Sequence, residues 1–353
     1  MIQSFMNINP SISSLFENFN NAQQENNFEL AYSILQQARQ LLEKIPQTNI
    51  LWAFYYINRA SYFNNTGQFL ESIDSSKKAE NVIPYRKNDD LRAKIESSRA
   101  VSYLNIGQYD DSFESVNYAI RLYKKLNITE QLALELITCG EILLRKGDWN
   151  QAIKHYSEAL LIAKKKNDKL LEARTLMALG FVFRGHRFLY LAIDHFREAE
   201  RIFKGINFNP GLASALYERA NTYVTLKMAE ETFALIKQIE EITPPDSVMR
   251  SFLYNFQYCL HNQNEEFQQA MSCAHLLLEF FKKANDRRGE ADSLEKIASV
   301  YYNLSNMEQA KEYGMKALNI SKEIGDQILQ NLCLQLFQDI DNAIANKAVR
   351  HEF

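Results

Sequence analysis

The sequence predicts an all-α solenoid, a stack of antiparallel helix pairs, on three observations. Small residues recur every forty positions at Ala60, Ala100, Gly140, Gly180 and Ala220, with a large side chain three positions later at Phe63, Tyr103, Leu143, Phe183 and Tyr223. A second small column keeps the same step at Ser72, Ser112, Ala152, Ala192 and Thr232, and a third at Ala79, Ala119, Ala159 and Ala199. Gly and Pro number only 11 and 6 in 353 residues, which favours long helices with short connections. One globular core has no need of a fixed period. Stacked pairs do, because each must offer a small side chain where the next one packs.

Eight pairs are expected, over residues 12–45, 51–85, 92–126, 131–166, 171–204, 211–243, 248–284 and 289–324, in one domain spanning 1–353. The turn inside a pair is marked by Gly two residues before an aromatic: Gly67 with Phe69, Gly107 with Tyr109, Gly147 with Trp149. Gly suits that place because the backbone there takes positive φ at no steric cost. The first pair is degenerate, with Phe19 where a small residue belongs. The seventh carries Tyr258 and Leu277 at small positions and follows Pro244 and Pro245, which predicts a bend or weaker packing before it. Residues 326–346, with Leu329, Leu332, Leu336 and Ile340 at helical spacing, are expected to cap the last pair.

Composition narrows the function. Forty Lys and Arg against 43 Asp and Glu give a formal charge of −3, which speaks against nucleic-acid or membrane-surface binding. Cys139, Cys259, Cys273 and Cys333 have no metal-ligand spacing and are read as small core residues in a reducing compartment. Residues 1–15 lack the basic flank and apolar stretch of a signal peptide, and no run approaches the ~20 apolar residues of a membrane span. A cytoplasmic protein is expected. No HExxH, GxSxG or glycine-rich phosphate loop is present, so neither enzyme activity, metal nor cofactor is expected.

The segment from Gly140 to Ala159, GEILLRKGDWNQAIKHYSEA, resembles the tetratricopeptide repeat (TPR) family, and residues 181–199 and 101–119 are similar. The resemblance implies a right-handed superhelix whose first helices line a concave groove, and a scaffold for a protein or peptide partner. Groove positions in that register hold amides at Asn20, Asn58, Asn221 and Asn255, whose donor and acceptor can pair with a peptide backbone. Asn64, Asn65, Asn105, Asn262 and Asn303 fall near helix ends, where capping is the simpler role. Lys94, Arg145, Arg174 and Arg184, with Glu141 among them, form a cationic cluster suited to a partner with an acidic segment.

The resemblance also invites comparison with the carboxylate clamp of TPR co-chaperones. Asn20, Asn58 and Lys94 match three clamp positions, while Phe16 and Ser98 replace two of its cations. The leading expectation is a non-enzymatic adaptor. One alternative is a peptide-responsive receptor resembling Gram-positive quorum-sensing regulators, against which stands the start of the repeats almost directly after residues 1–10. Another is the regulatory subunit of a separately encoded enzyme.

Overall fold

A computed structural model describes residues 10–25, 27–83 and 88–351, and among them are 17 helices and no strand. They pair as α1 (Pro10–Gln24) with α2 (Phe28–Leu42), α3 (Ile50–Asn65) with α4 (Phe69–Val82), α5 (Asp89–Asn105) with α6 (Tyr109–Leu126), α7 (Thr129–Arg145) with α8 (Trp149–Lys166), and α9 (Lys169–Gly185) with α10 (Leu189–Gly205). The later pairs are α11 (Asn209–Thr225) with α12 (Ala229–Ile242), α13 (Val248–Gln263) with α14 (Phe267–Lys283), and α15 (Arg287–Asn303) with α16 (Met307–Glu323), followed by α17 (Gln327–His351). The chain is thus an all-α helical solenoid. Contacts divide it between Asn207 and Phe208 into two compact units.

Two sets of tight turns, each in the left-handed backbone region, write the pairing locally. Inside pairs, Gly67, Gly107 and Gly147 have φ of 75°, 81° and 82°. Later pairs place Arg187, Lys227, Glu265 and Ser305 in the same conformation, with φ from 59° to 67°. Between pairs, Asn127, Asn167, Asn207 and Asn285 take φ near 55°, a region Asn tolerates better than most residues. Asp148, Asp168, Asp286 and Asn306 then accept a backbone N–H from the first turn of the following helix.

The small columns are buried. Ala60, Ala100 and Ala220 are fully covered, as are Ser72, Ser112, Ala152, Ala192 and Thr232. Size is matched across the fourth and fifth hairpins: a Cβ on Gly140 would lie 2.7 Å from the ring of Tyr156, and one on Gly180 would collide with Phe196. The residues sixteen positions after Ala60 and Ala100 are Ser76 and Val116, both smaller and both buried. At the seventh pair the sizes are exchanged, with buried Tyr258 in the first helix and fully buried Ala274 in the second. Phe19 is likewise buried, so the two departures from the pattern fill volume instead of opening it.

In the second unit, the guanidinium of Arg250 donates to the carbonyls of Glu240 at 2.6 Å and Thr243 at 3.2 Å, tying α13 to the end of α12 across Pro244 and Pro245. A cation at a helix C-terminus also meets its negative dipole end. Along α17, Leu329, Leu336 and Ile340 are buried, but Leu332 is half exposed and Cys333 takes its place. That seam runs 329, 333, 336, 340. Cys139 and Cys273 are buried as expected, whereas Cys259 is exposed. Among the described residues no helix is long and apolar enough to cross a membrane.

Candidate functional site

The helix-end amides join neighbouring first helices. Asn64 donates to the carbonyl of Ser98 at 3.0 Å and accepts from the Ser102 hydroxyl at 2.7 Å, linking α3 to α5. Ser102 in turn reaches Ser72 Oγ at 2.9 Å, a buried contact. Gln23 on α1 accepts from Ser61 at 3.3 Å and from Asn65. Asn303 repeats the device in the second unit, donating to Asn262 at 3.1 Å. Four of the five residues read as caps are therefore clasps between repeats, and Asn105 donates within its own helix to the carbonyl of Val101. A side-chain amide at that place reaches the neighbouring repeat because the first helices lie side by side.

Of the amides assigned to a ligand, Asn20 on α1 is exposed and Asn58 on α3 half-buried, both in the first unit. Asn221 on α11 and Asn255 on α13 are half-buried in the second unit. Among the described residues no carboxylate clamp forms around Asn20, Asn58 and Lys94. Phe16 is buried and stacks on Phe54 at 6.4 Å, the Ser98 carbonyl serves Asn64, and Lys94 is held by Asp90 at 3.1 Å.

The charged cluster lies on α5, α7 and α9 of the first unit. Arg184 lies 5.5 Å from the Phe181 ring centre and is half-buried. Glu141, Arg145 and Arg174 are exposed, and among the described residues none of the three joins an ion pair. Glu172, two residues before Arg174, is buried and bonds to Lys169 at 2.9 Å, with Lys164 at 4.0 Å. The same columns expose Leu134 (50%) and Phe181 (41%), which the sequence reading passed over. The register could have found them, since Leu134 matches Arg174 and Glu141 matches Phe181 at one repeat's distance.

Beneath this wall is a second feature that spacing could not reveal. Glu135 on α7 is buried, with Oε2 lacking a hydrogen-bond partner. Burial lifts its carboxyl from an ordinary 4.5 to about 7, and Ser97 on α5 moderates the rise by hydrogen bonding. Burial, with Glu135 nearby, pushes the Cys139 thiol up to about 12. The Tyr123 hydroxyl is raised by burial, and then by the neighbouring Glu135 and Asp90. The thiol of Cys139 and the hydroxyl of Tyr123 stay neutral at ordinary pH, which fits a packed interface. Among the described residues no group of three or more His, Cys, Asp or Glu is arranged to hold a metal ion.

The tetratricopeptide-repeat family profile matches residues 132–205, covering most of α7 to α10, and residues 291–324, covering most of α15 and α16. Tetratricopeptide repeat protein 29 of Trypanosoma brucei brucei (strain 927/4 GUTat10.1) is 22% identical over 175 residues, half of this chain, which spans only 30% of that protein. Response regulator aspartate phosphatase H of Bacillus subtilis (strain 168) is 21% identical over 312 residues, covering 84% of this chain and 79% of that one. The apo quorum sensor NprR from B. thuringiensis superposes with a TM-score of 0.67 at 16% identity, covering 88% of this chain and 87% of its own. Repeated packing columns, left-handed turns and these matches lead to one assignment: the chain contains tetratricopeptide repeats, matched by the family profile at residues 132–205 and 291–324.

Proposed function

We propose that this chain is a non-catalytic receptor or scaffold that holds an extended peptide segment against the α5, α7 and α9 wall of its first unit. The observation that carries the reading is the set of uncompensated charges, Glu141, Arg145 and Arg174, beside exposed Leu134 and Phe181. Charges left unpaired next to apolar side chains are suited to an incoming segment that brings both acids and hydrophobes. Arginine strengthens the case, because its planar fork grips a carboxylate with two hydrogen bonds. On this reading the partner is a protein or peptide with an acidic segment, neither nucleic acid nor membrane is bound, and the chain works in the cytoplasm.

The likeness to the quorum sensor NprR along 88% of the chain favours the signalling form of this reading, in which the segment is a free peptide messenger. The test is selection from a random octapeptide display library, followed by fluorescence polarisation on synthetic copies of the enriched sequences. Enriched peptides should carry acidic and apolar residues and bind at least about tenfold more weakly to the Arg145→Glu, Arg174→Glu double variant. No enrichment, or equal binding by parent and variant, overturns the proposal. Arg184 is spared because its contact with Phe181 would confound the result.

A further inference from the structure

A different cleft lies between α2, α3 and α4. It measures about 410 Å³ and adjoins a second space of about 310 Å³, the two sharing Arg39, Tyr55 and Arg59. Trp52 and Tyr56 complete the aromatic wall, stacked at 5.7 Å, and Tyr55 meets Tyr56 edge-on at 5.3 Å. Trp52 is 5% exposed, and among the described residues its indole Nε1 donor has no acceptor.

The next repeat supplies an internal control. Arg99, forty residues after Arg59, is neutralised by Glu80 at 2.5 Å and Glu96 at 3.1 Å. Tyr56 stands one repeat before Glu96. Ala31 and Ala38 match Ser72 and Ala79 at a step of 41, so the counterpart of Glu80 is Arg39. Both carboxylates that satisfy Arg99 are therefore absent around Arg59, one replaced by a ring and the other by a second guanidinium. Among the described residues Arg59 is paired with no acid and rests 5.0 Å from the centre of the Phe63 ring. Arg39 engages Glu43 through Nε at 3.1 Å, and among the described residues its terminal nitrogens have no partner. A half-buried cation without its acid favours an anion from outside, and aromatic walls favour a flat body to carry it.

We propose that this cleft is a second ligand site, separate from the α5, α7 and α9 wall, that takes an oxyanion borne on a flat ring. The two arginines grip the carboxylate or phosphate, and the ring lies among Trp52, Tyr55 and Tyr56.

Calorimetric titration of the full chain with benzoate, phenyl phosphate, inorganic phosphate and phenol tests this directly. Benzoate or phenyl phosphate should bind saturably, the tighter of the two identifying the oxyanion, and inorganic phosphate and phenol should each bind at least about tenfold more weakly. Arg59→Gln and Arg39→Gln should each weaken the ring oxyanion by about tenfold or more, with Arg145→Gln binding as the parent does. Arg39 is exposed, so its variant keeps the test sound if Arg59→Gln disturbs the fold. The proposal is overturned by silence of both ring probes at millimolar concentration, by undiminished binding to Arg39→Gln, by equal affinity for inorganic phosphate, or by loss in Arg145→Gln.

Discussion

The ring of Tyr156 occupies the space into which a side chain on Gly140 would grow, with Cζ 2.7 Å and Cε1 2.8 Å from the position of a Cβ. Tyr156 is 3% exposed, so the ring has little room to withdraw. Gly140→Ala should therefore cost about 1 kcal/mol net in urea unfolding, an overpacking penalty of roughly 1–3 kcal/mol less about 1 kcal/mol of helix propensity. In a Tyr156→Val background the same substitution should turn stabilising, as the existing Ala100 and Val116 pair suggests. Equal effects in both backgrounds would show that the two residues are not coupled.

Arg187 has φ of 67° where earlier hairpins have glycine. A side chain in that region costs roughly 1 kcal/mol, part of which glycine returns through its freer unfolded state. Arg187→Gly should raise the thermal midpoint of the first unit by a few degrees, and Lys227→Gly should do the same for the second. A fall in either midpoint means that the native arginine or lysine makes a contact worth more than the strain.

Glu135 makes stability depend on pH. Its folded pKa of about 7 exceeds the ordinary 4.5, so the folded state holds the proton longer than the unfolded one. The contribution is complete below pH 4.5 and is lost as pH rises towards 7. The loss is at most about 3 kcal/mol. Glu135→Gln should flatten that slope between pH 4.5 and 7 and leave the protein more stable than the parent at pH 8, measured by denaturant midpoints.

Asn64 and Asn65 are adjacent amides with unequal partners. Asn64→Ala strips a donor from the Ser98 carbonyl and an acceptor from Ser102, whose side chain is buried with Ser72. It should cost about 1–2 kcal/mol, and Asn65→Ala, at an exposed position whose side chain bonds only to half-buried Gln23, under about 0.5 kcal/mol. Equal costs would mean that the inter-repeat clasp contributes nothing specific.

The repeat architecture was legible because packing at Ala60, Gly140 and Ala152 restricts size at a fixed interval, and size is what a sequence states most directly. The burial of Tyr258 was not, since its partner Ala274 must be read with it before the exchange of volumes makes sense. The charged wall was half legible. Register placed Arg145 and Arg174 on first helices, but whether a neighbour neutralises them depends on side-chain reach, as the bond of Glu172 to Lys169 and not to nearby Arg174 shows. Asn64 was misread for the same reason: an amide at a helix end looks like a cap until a neighbouring helix is set beside it.

The matching of Gly140 to Tyr156 and of Gly180 to Phe196 is settled within one hairpin, over sixteen residues, and needs no agreement from the next. Whole hairpins can therefore be duplicated, deleted or exchanged by recombination without spoiling this fit. A crossover falling between the two helices of a pair would combine mismatched halves, so inherited breakpoints in such genes are expected to cluster at the Asn127, Asn167 and Asn207 turns.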